Sequence, residues 1–178
     1  PPERVATRKG SPLDAGFSLA SLREALVTVR ARHRSLRELW MENGRWVTAP
    51  AGVLVVRVLD TKEGRGMRTL ICDGGRTLHA MVATWERHGL FSMARRRGER
   101  VKTLVCGPTC MAFDNLGVHA LPASVGPGDL LVWMDAGAYQ MSWETRFSHG
   151  LGAVVWTEGE RVEVVRDREC FGAWVAGR

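Results

Sequence analysis

The chain has 178 residues, 45% hydrophobic and 25% charged, with a formal net charge of +6. That length allows one substantial core, and that composition excludes a globally disordered chain. No apolar run approaches the ~18 residues of a membrane span, and no charged-then-apolar leader opens the sequence, so neither a membrane nor a secreted protein is predicted.

The four cysteines, Cys72, Cys106, Cys110 and Cys170, are too few and too scattered for a disulfide scaffold. They predict free thiols in a cytoplasmic protein. Arginine carries most of the positive charge. Its one tight cluster, Arg95-Arg96-Arg97, has no aromatic residues interleaved for base stacking. A solvated loop is expected there, not a nucleic-acid groove.

In chain order, residues 1–13 are polar and proline-rich and predict a flexible leader. Residues 19–37 carry Leu19, Leu22, Leu26, Val29, His33 and Leu36 at helical spacing. Ser21 with Glu24 fits a capping box, so the helix starts at Ser18 or Ser21. Arg30, Arg32, Arg34 and Arg37 crowd its C-terminal half, where cations suit the helix dipole. Residues 39–48 read as a short mixed strand ending at Glu42-Asn43-Gly44-Arg45.

Beyond residue 50 the period shortens. Residues 52–59, 68–72, 102–106, 130–134, 152–156 and 161–165 are valine-rich runs between Gly, Asp and Pro turns. That spacing predicts a mostly β domain over 51–178, an antiparallel barrel or sandwich. Residues 78–89 form either a short helix or an irregular crossing.

Chemistry concentrates in a few places. Glu42 and Arg45 put a carboxylate and a guanidinium three residues apart, able to address two points of one ligand or to form a surface ion pair worth little. The run 102–106 stops at Gly107-Pro108, because proline lacks a ladder donor, and Thr109 and Cys110 follow. Cys110 is either a core thiol or a thiol at a strand-end turn facing a cleft. Tyr139, the only tyrosine, is either a core residue with one satisfied hydroxyl or a ligand contact. Cys106 and Cys110 with His79 or His88 lack the second spaced pair of a zinc site, so no metal is expected.

Gly107-Pro108-Thr109-Cys110 with Phe113-Asp114 resembles the Gly-Pro-x-Cys-[Asp/Glu]-x-x-Asp signature of fold-type III pyridoxal-phosphate decarboxylases, the ornithine, arginine and diaminopimelate enzymes. Further short motifs follow the family's order. Glu42-Asn43-Gly44-Arg45 resembles its Glu-Pro-Gly-Arg, with Asn43 in place of proline, and residues 51–58 resemble the strand after it. Asp73-Gly74-Gly75 resembles its Asp-Gly-Gly, and Gly137-Ala138-Tyr139 its Gly-Ala-Tyr. The resemblance covers residues 14–156. It implies that 14–50 are the terminal helix and strand of a (β/α)8 cofactor barrel and that 51–178 are the C-terminal β-barrel domain.

By the same resemblance the cofactor is pyridoxal 5'-phosphate. Glu42 would pair with its pyridine nitrogen, and Arg45 and Tyr139 would bind its phosphate. Cys110 would enter a neighbouring subunit's active site as a proton donor, in a dimeric assembly with shared sites. Met111 stands where the family has an acid that reads the substrate's distal amine. A thioether cannot pair with an ammonium, so a simple diamine precursor is not the expected substrate. Phe147-Ser148-His149 likewise departs from Phe-Asn-Gly.

The family's Schiff-base lysine lies in a barrel of ~200 residues or more. None of Lys9, Lys62 and Lys102 has a matching context, and covalent cofactor chemistry needs that amine. The expectation is therefore a split enzyme or a fragment, completed by a chain that carries the barrel and the lysine. The alternative is a non-catalytic regulatory homologue that binds a decarboxylase. No nucleic-acid or membrane partner is expected.

Overall fold

The structure is a computed structural model. It describes residues 3–4, 15–42, 44–64, 66–78, 88–94 and 98–177, with the backbone alone at 3–4 and 15–19. Helix α1 runs Ala15–Arg32, with Arg30 and Arg32 in its last turn. It starts earlier and ends sooner than its apolar spacing predicts.

The segment expected as a strand over 39–48 forms none. Residues 36–42 have no regular secondary structure, and helix α2 then spans Gly44–Thr48, followed by a 3-10 turn over Ala49–Ala51. Strand geometry is stabilised by pairing, and among the described residues no ladder partner lies beside this stretch.

The valine-rich runs become strands as expected: β2 Leu54–Gly64, β3 Met67–Cys72, β5 Arg100–Cys106 and β7 Leu130–Trp133. Three more join them: β1 Glu3–Arg4, β4 Leu90–Ser92 and β6 Asn115–Pro122. Together they make one nearly closed, barrel-like sheet in the order β1-β4-β7-β2-β3-β5-β6. Every pair is antiparallel except β3 with β5.

One face of the sheet is filled by Val56, Val58, Leu70, Cys72, Leu90, Val105, Leu116, Leu121, Val125, Leu131 and Trp133. The alternation is regular in β3, where Arg68, Leu70 and Cys72 are buried and the residues between are half-buried. Period-two burial of this kind fixes register, since a one-residue slip would expose the whole set.

A two-stranded sheet follows, β8 Val154–Glu158 with β9 Arg161–Arg166, and then helix α3, Phe171–Ala176. Val155, Trp156, Val162, Val164, Val165 and Phe171 are exposed on this unit. It is fastened by polar contacts. Arg166 grips both oxygens of Glu144 at 2.8 Å each, Arg146 pairs with Glu169, and the Trp174 indole donates to the Arg146 carbonyl at 2.8 Å. No helix among the described residues is long and apolar enough to cross a membrane. The leader outside residues 3–4, the crossing over 79–87 and the Arg95-Arg96-Arg97 cluster lie outside the described residues.

Candidate functional site

The structure brings Arg45 and Tyr139 together from sequence positions far apart. The Arg45 guanidinium carbon lies 4.8 Å from the centre of the Tyr139 ring, a cation–π stack that fixes a flexible side chain. A Cβ on Gly44 would meet the Tyr139 hydroxyl at 3.5 Å. The phenol tip therefore sits at the start of α2.

A close backbone approach holds this pair. Ala136 N–H donates to the Gly52 carbonyl at 2.8 Å and Gly137 N–H to the Ala49 carbonyl at 3.0 Å. Neither glycine can carry a Cβ there. At Gly52 it would lie 2.7 Å from Gly137 Cα, and at Gly137 it would land on the Thr48 carbonyl oxygen.

Tyr139 itself has φ of 62° and Asp135 58°, left-handed values that cost a bulky residue energy and persist where the surroundings over-determine them. Tyr139 is half exposed and so is not a core tyrosine. Glu42 is exposed, two residues before α2, and Asn43 lies outside the described residues.

Cys110 and Met111 sit on a different turn, organised by Asp114. A bulge between Leu104 and Cys106 shifts the β5–β6 register just before its last pair, Cys106 with Asn115, re-aiming the strand into Gly107-Pro108. Asp114 is 3% exposed. One carboxylate oxygen accepts the Arg76 N–H at 2.7 Å. The other accepts the Thr109 N–H at 3.0 Å and the Thr109 hydroxyl at 2.5 Å. Its backbone closes the loop, with Gly107 N–H donating to the Asp114 carbonyl at 3.0 Å and Asp114 N–H to the Met111 carbonyl at 2.9 Å. Gly75 and Gly107 leave the space that the carboxylate fills. Cys110 is exposed and Met111 half-buried.

The other thiols differ sharply. Burial pushes the Cys72 thiol up to about 12, with the Asp73 carboxylate and Cys106 adding to the effect. Burial, then the Asp114 charge, raises Cys106 as well. Thiolates alkylate and thiols do not. Iodoacetamide at pH 8 is therefore expected to label exposed Cys110 and Cys170 in the folded chain and to leave Cys72 unlabelled until unfolding, as peptide mass mapping will show. Stability carried by the neutral Cys72 is complete below the ordinary thiol value of 9.0 and is lost as pH rises toward about 12.

Two histidines have contacts that the sequence reading did not assign to them. His88 donates from Nδ1 to the Met134 carbonyl at 2.8 Å, at the point where β7 leads into the Asp135–Tyr139 turn. Burial lowers its basicity. Hydrogen bonds to the Met134 and Asp135 backbone and the Asp135 charge oppose that, and Arg45 reinforces it. Nothing local in the sequence marks His88, because its partners lie on distant segments.

His149 joins the turn where Ser148 has φ of 59°. Its Nδ1 faces the Gly150 carbonyl and its Nε2 the Thr77 hydroxyl, each at 2.8 Å. The carbonyl can only accept, so Nδ1 carries a proton and donates to Gly150, while Nε2 and the Thr77 hydroxyl share a second hydrogen bond. Among the described residues no three His, Cys, Asp or Glu side chains gather to hold a metal ion.

The fold defines a sheet domain that carries a paired guanidinium and phenol and, separately, an exposed thiol on a carboxylate-held turn. The family follows from comparison. Residues 25–137 match the model of the pyridoxal-dependent decarboxylase C-terminal sheet domain, and the chain belongs to that family. It is 30% identical over 167 residues to the diaminopimelate decarboxylase of Archaeoglobus fulgidus, covering 92% of this chain and 39% of that protein. It is 32% identical over 112 residues to L-glutamyl-[BtrI acyl-carrier protein] decarboxylase of Niallia circulans, covering 57% and 26%.

Among solved structures, diaminopimelate decarboxylase from M. jannaschii in complex with L-lysine superposes with a TM-score of 0.74 at 23% identity, over 86% of this chain and 36% of that one. That likeness bears on the fold. The chain thus spans less than half the length of these relatives.

Proposed function

We propose that the chain completes the active site of a pyridoxal-phosphate-dependent amino-acid decarboxylase, together with a separate or contiguous barrel that carries the cofactor's lysine. The observation that carries this reading is the assembled Arg45–Tyr139 pair on a chain that matches the sheet domain of its family. A guanidinium and a phenol hydroxyl at one place are the donor set a phosphate monoester takes. The residues present therefore fit the cofactor.

Arg45 and Tyr139 would hold the phosphate and orient the cofactor, and Glu42 would keep its pyridine nitrogen protonated. When bound, pyridoxal phosphate supplies the electron sink that lets a carbon–carboxylate bond break. There Cys110 would serve as the proton donor through its Sγ–H, reaching the site across a subunit interface. Exposed Trp40, Trp46, Met141, Trp143 and Phe147 support a partner surface, since apolar side chains in this number are usually covered.

Met111 supports a substrate other than a simple diamine precursor. The Niallia circulans relative acts on a glutamyl group held by an acyl-carrier protein, by its name, so substrates of other chemistry occur among the relatives of this chain. A second reading, a non-catalytic regulatory homologue that binds a decarboxylase, is favoured by Met111.

The test is a visible spectrum and borohydride fixation on the chain alone and on its assembly with a barrel partner. A cofactor band only in the assembly, with the pyridoxyl group fixed on the partner's lysine, is the expected result. An assembly without a band supports the regulatory reading. In the active assembly, Cys110→Ala is expected to lower product formation at least tenfold and to scramble solvent-deuterium stereochemistry at the new C–H bond. Unchanged rate and stereochemistry would remove Cys110 as the donor.

A further inference from the structure

We propose that His88 is a positioning residue of the Arg45–Tyr139 anion site, its ring pinning the root of the turn that carries Tyr139 and sharing the field of Arg45 with the bound anion. The inference rests on the phosphate-binding reading of that pair given above.

The geometry is a short chain of contacts. His88 Nδ1–H holds the Met134 carbonyl at 2.8 Å, while Met134 N–H returns to the Gly89 carbonyl at 2.8 Å. The next residue, Asp135, enters the left-handed region at φ of 58°. Ala136 and Gly137 then dock on Gly52 and Ala49, and Tyr139 follows with φ of 62°. His88 is thus the last side-chain anchor before two strained residues. Without it the turn loses one of the contacts that fix its direction.

The charged groups whose fields reach the ring among the described residues are Asp135, from the turn after β7, and Arg45, from α2. Burial, assisted by Arg45, keeps the ring neutral near pH 7 despite Asp135. A dianion bound between Arg45 and Tyr139 offsets the Arg45 charge that His88 feels. Protonation of the ring then becomes easier in the bound state than in the free state. Binding therefore takes up a proton, and affinity must rise as pH falls through the range where the two states differ. A phosphate-bearing ligand and the imidazole are coupled through one guanidinium.

The probe is sulfate, a dianion across the whole range, with pyridoxal phosphate as the second ligand, on the full chain. Calorimetry at pH 5.5 and pH 7.5 is expected to show sulfate affinity higher at the lower pH, by up to about tenfold. NMR of the imidazole Cε1–H is expected to show the His88 midpoint rising on sulfate addition.

His88→Asn keeps a donor for the Met134 carbonyl but cannot titrate. It should retain binding at pH 7.5 and lose the gain at pH 5.5. His88→Ala should lose affinity at both. An unmoved His88 midpoint, or the same pH gain in His88→Asn, overturns the inference while Arg45-dependent binding stands. Sulfate binding that survives Arg45→Gln unchanged, or no sulfate binding by the wild type, overturns the anion-site reading itself.

Discussion

Gly137→Ala is expected to lose ~3 kcal/mol of stability, the combined scale of overpacking and two weakened hydrogen bonds. The new methyl would occupy the position of the Thr48 carbonyl oxygen, with the Gly52 N at 2.8 Å and the Ala49 carbonyl oxygen at 3.1 Å. All three are backbone atoms, and backbone cannot swing aside as a long side chain can. Relief requires the Asp135–Tyr139 turn to lift from residues 48–52, which breaks the bonds from Ala136 and Gly137 and separates Tyr139 from Arg45.

Thermal unfolding should show a melting point lower by ~6–12 °C, and the assembled protein should lose cofactor affinity. Gly126→Ala is the control, because its nearest neighbour would be Thr61 Oγ1 at 3.9 Å. If Gly137→Ala melts with the wild type, within ~0.5 kcal/mol, the two segments do not meet as described.

Asp114→Ala is expected to cost more, ~3–5 kcal/mol, the scale seen when a buried hydrogen-bonded charge is removed and its partners are stranded. Three donors would be left facing a void: the Arg76 and Thr109 amides and the Thr109 hydroxyl. Asp114→Asn separates charge from shape. Its oxygen can serve the Arg76 amide, but its NH2 would face the Thr109 amide, donor against donor, so a loss of ~2–3 kcal/mol is expected.

Denaturant unfolding measures both losses. The rate of Cys110 alkylation reads the turn directly, and it should rise in each variant under conditions where the chain is still folded. Unfolding midpoints and labelling rates equal to wild type would mean that Asp114 does not organise the thiol turn.

The strands the sequence made legible are those where apolar side chains alternate between strong turn residues. Those it hid have physical reasons to be hidden. β6 carries Gly117 at φ of 93° in its middle and ends on Pro122, both of which weaken a strand signal. β4 is three residues long and is held by its place beside Trp133 and Val132. α2 replaced an expected strand because pairing, which decides that competition, depends on neighbours the local sequence cannot reveal.

The site divides in the same way. Arg45 and Tyr139 were legible through short motifs. The contacts were not: the clamp between Gly52 and Gly137, the hydrogen bonds by which Asp114 builds the thiol turn, and the bond from His88 to the Met134 carbonyl. Each is a meeting of segments distant in the chain.

The parallel pairing of β3 with β5 imposes an order of events on the nascent chain. Parallel neighbours cannot be joined by a tight turn. The 27 residues from Asp73 to Glu99 must leave the sheet and return before that ladder can close, and on the way they deposit β4 beside β7, on the far side of β2. β7 is not yet synthesised when β4 emerges. Native contacts at high sequence separation slow the search for the folded state. The sheet should therefore be completed late, and Leu90, Val105 and their neighbours stay exposed to water, and to other chains, until residues 130–133 arrive.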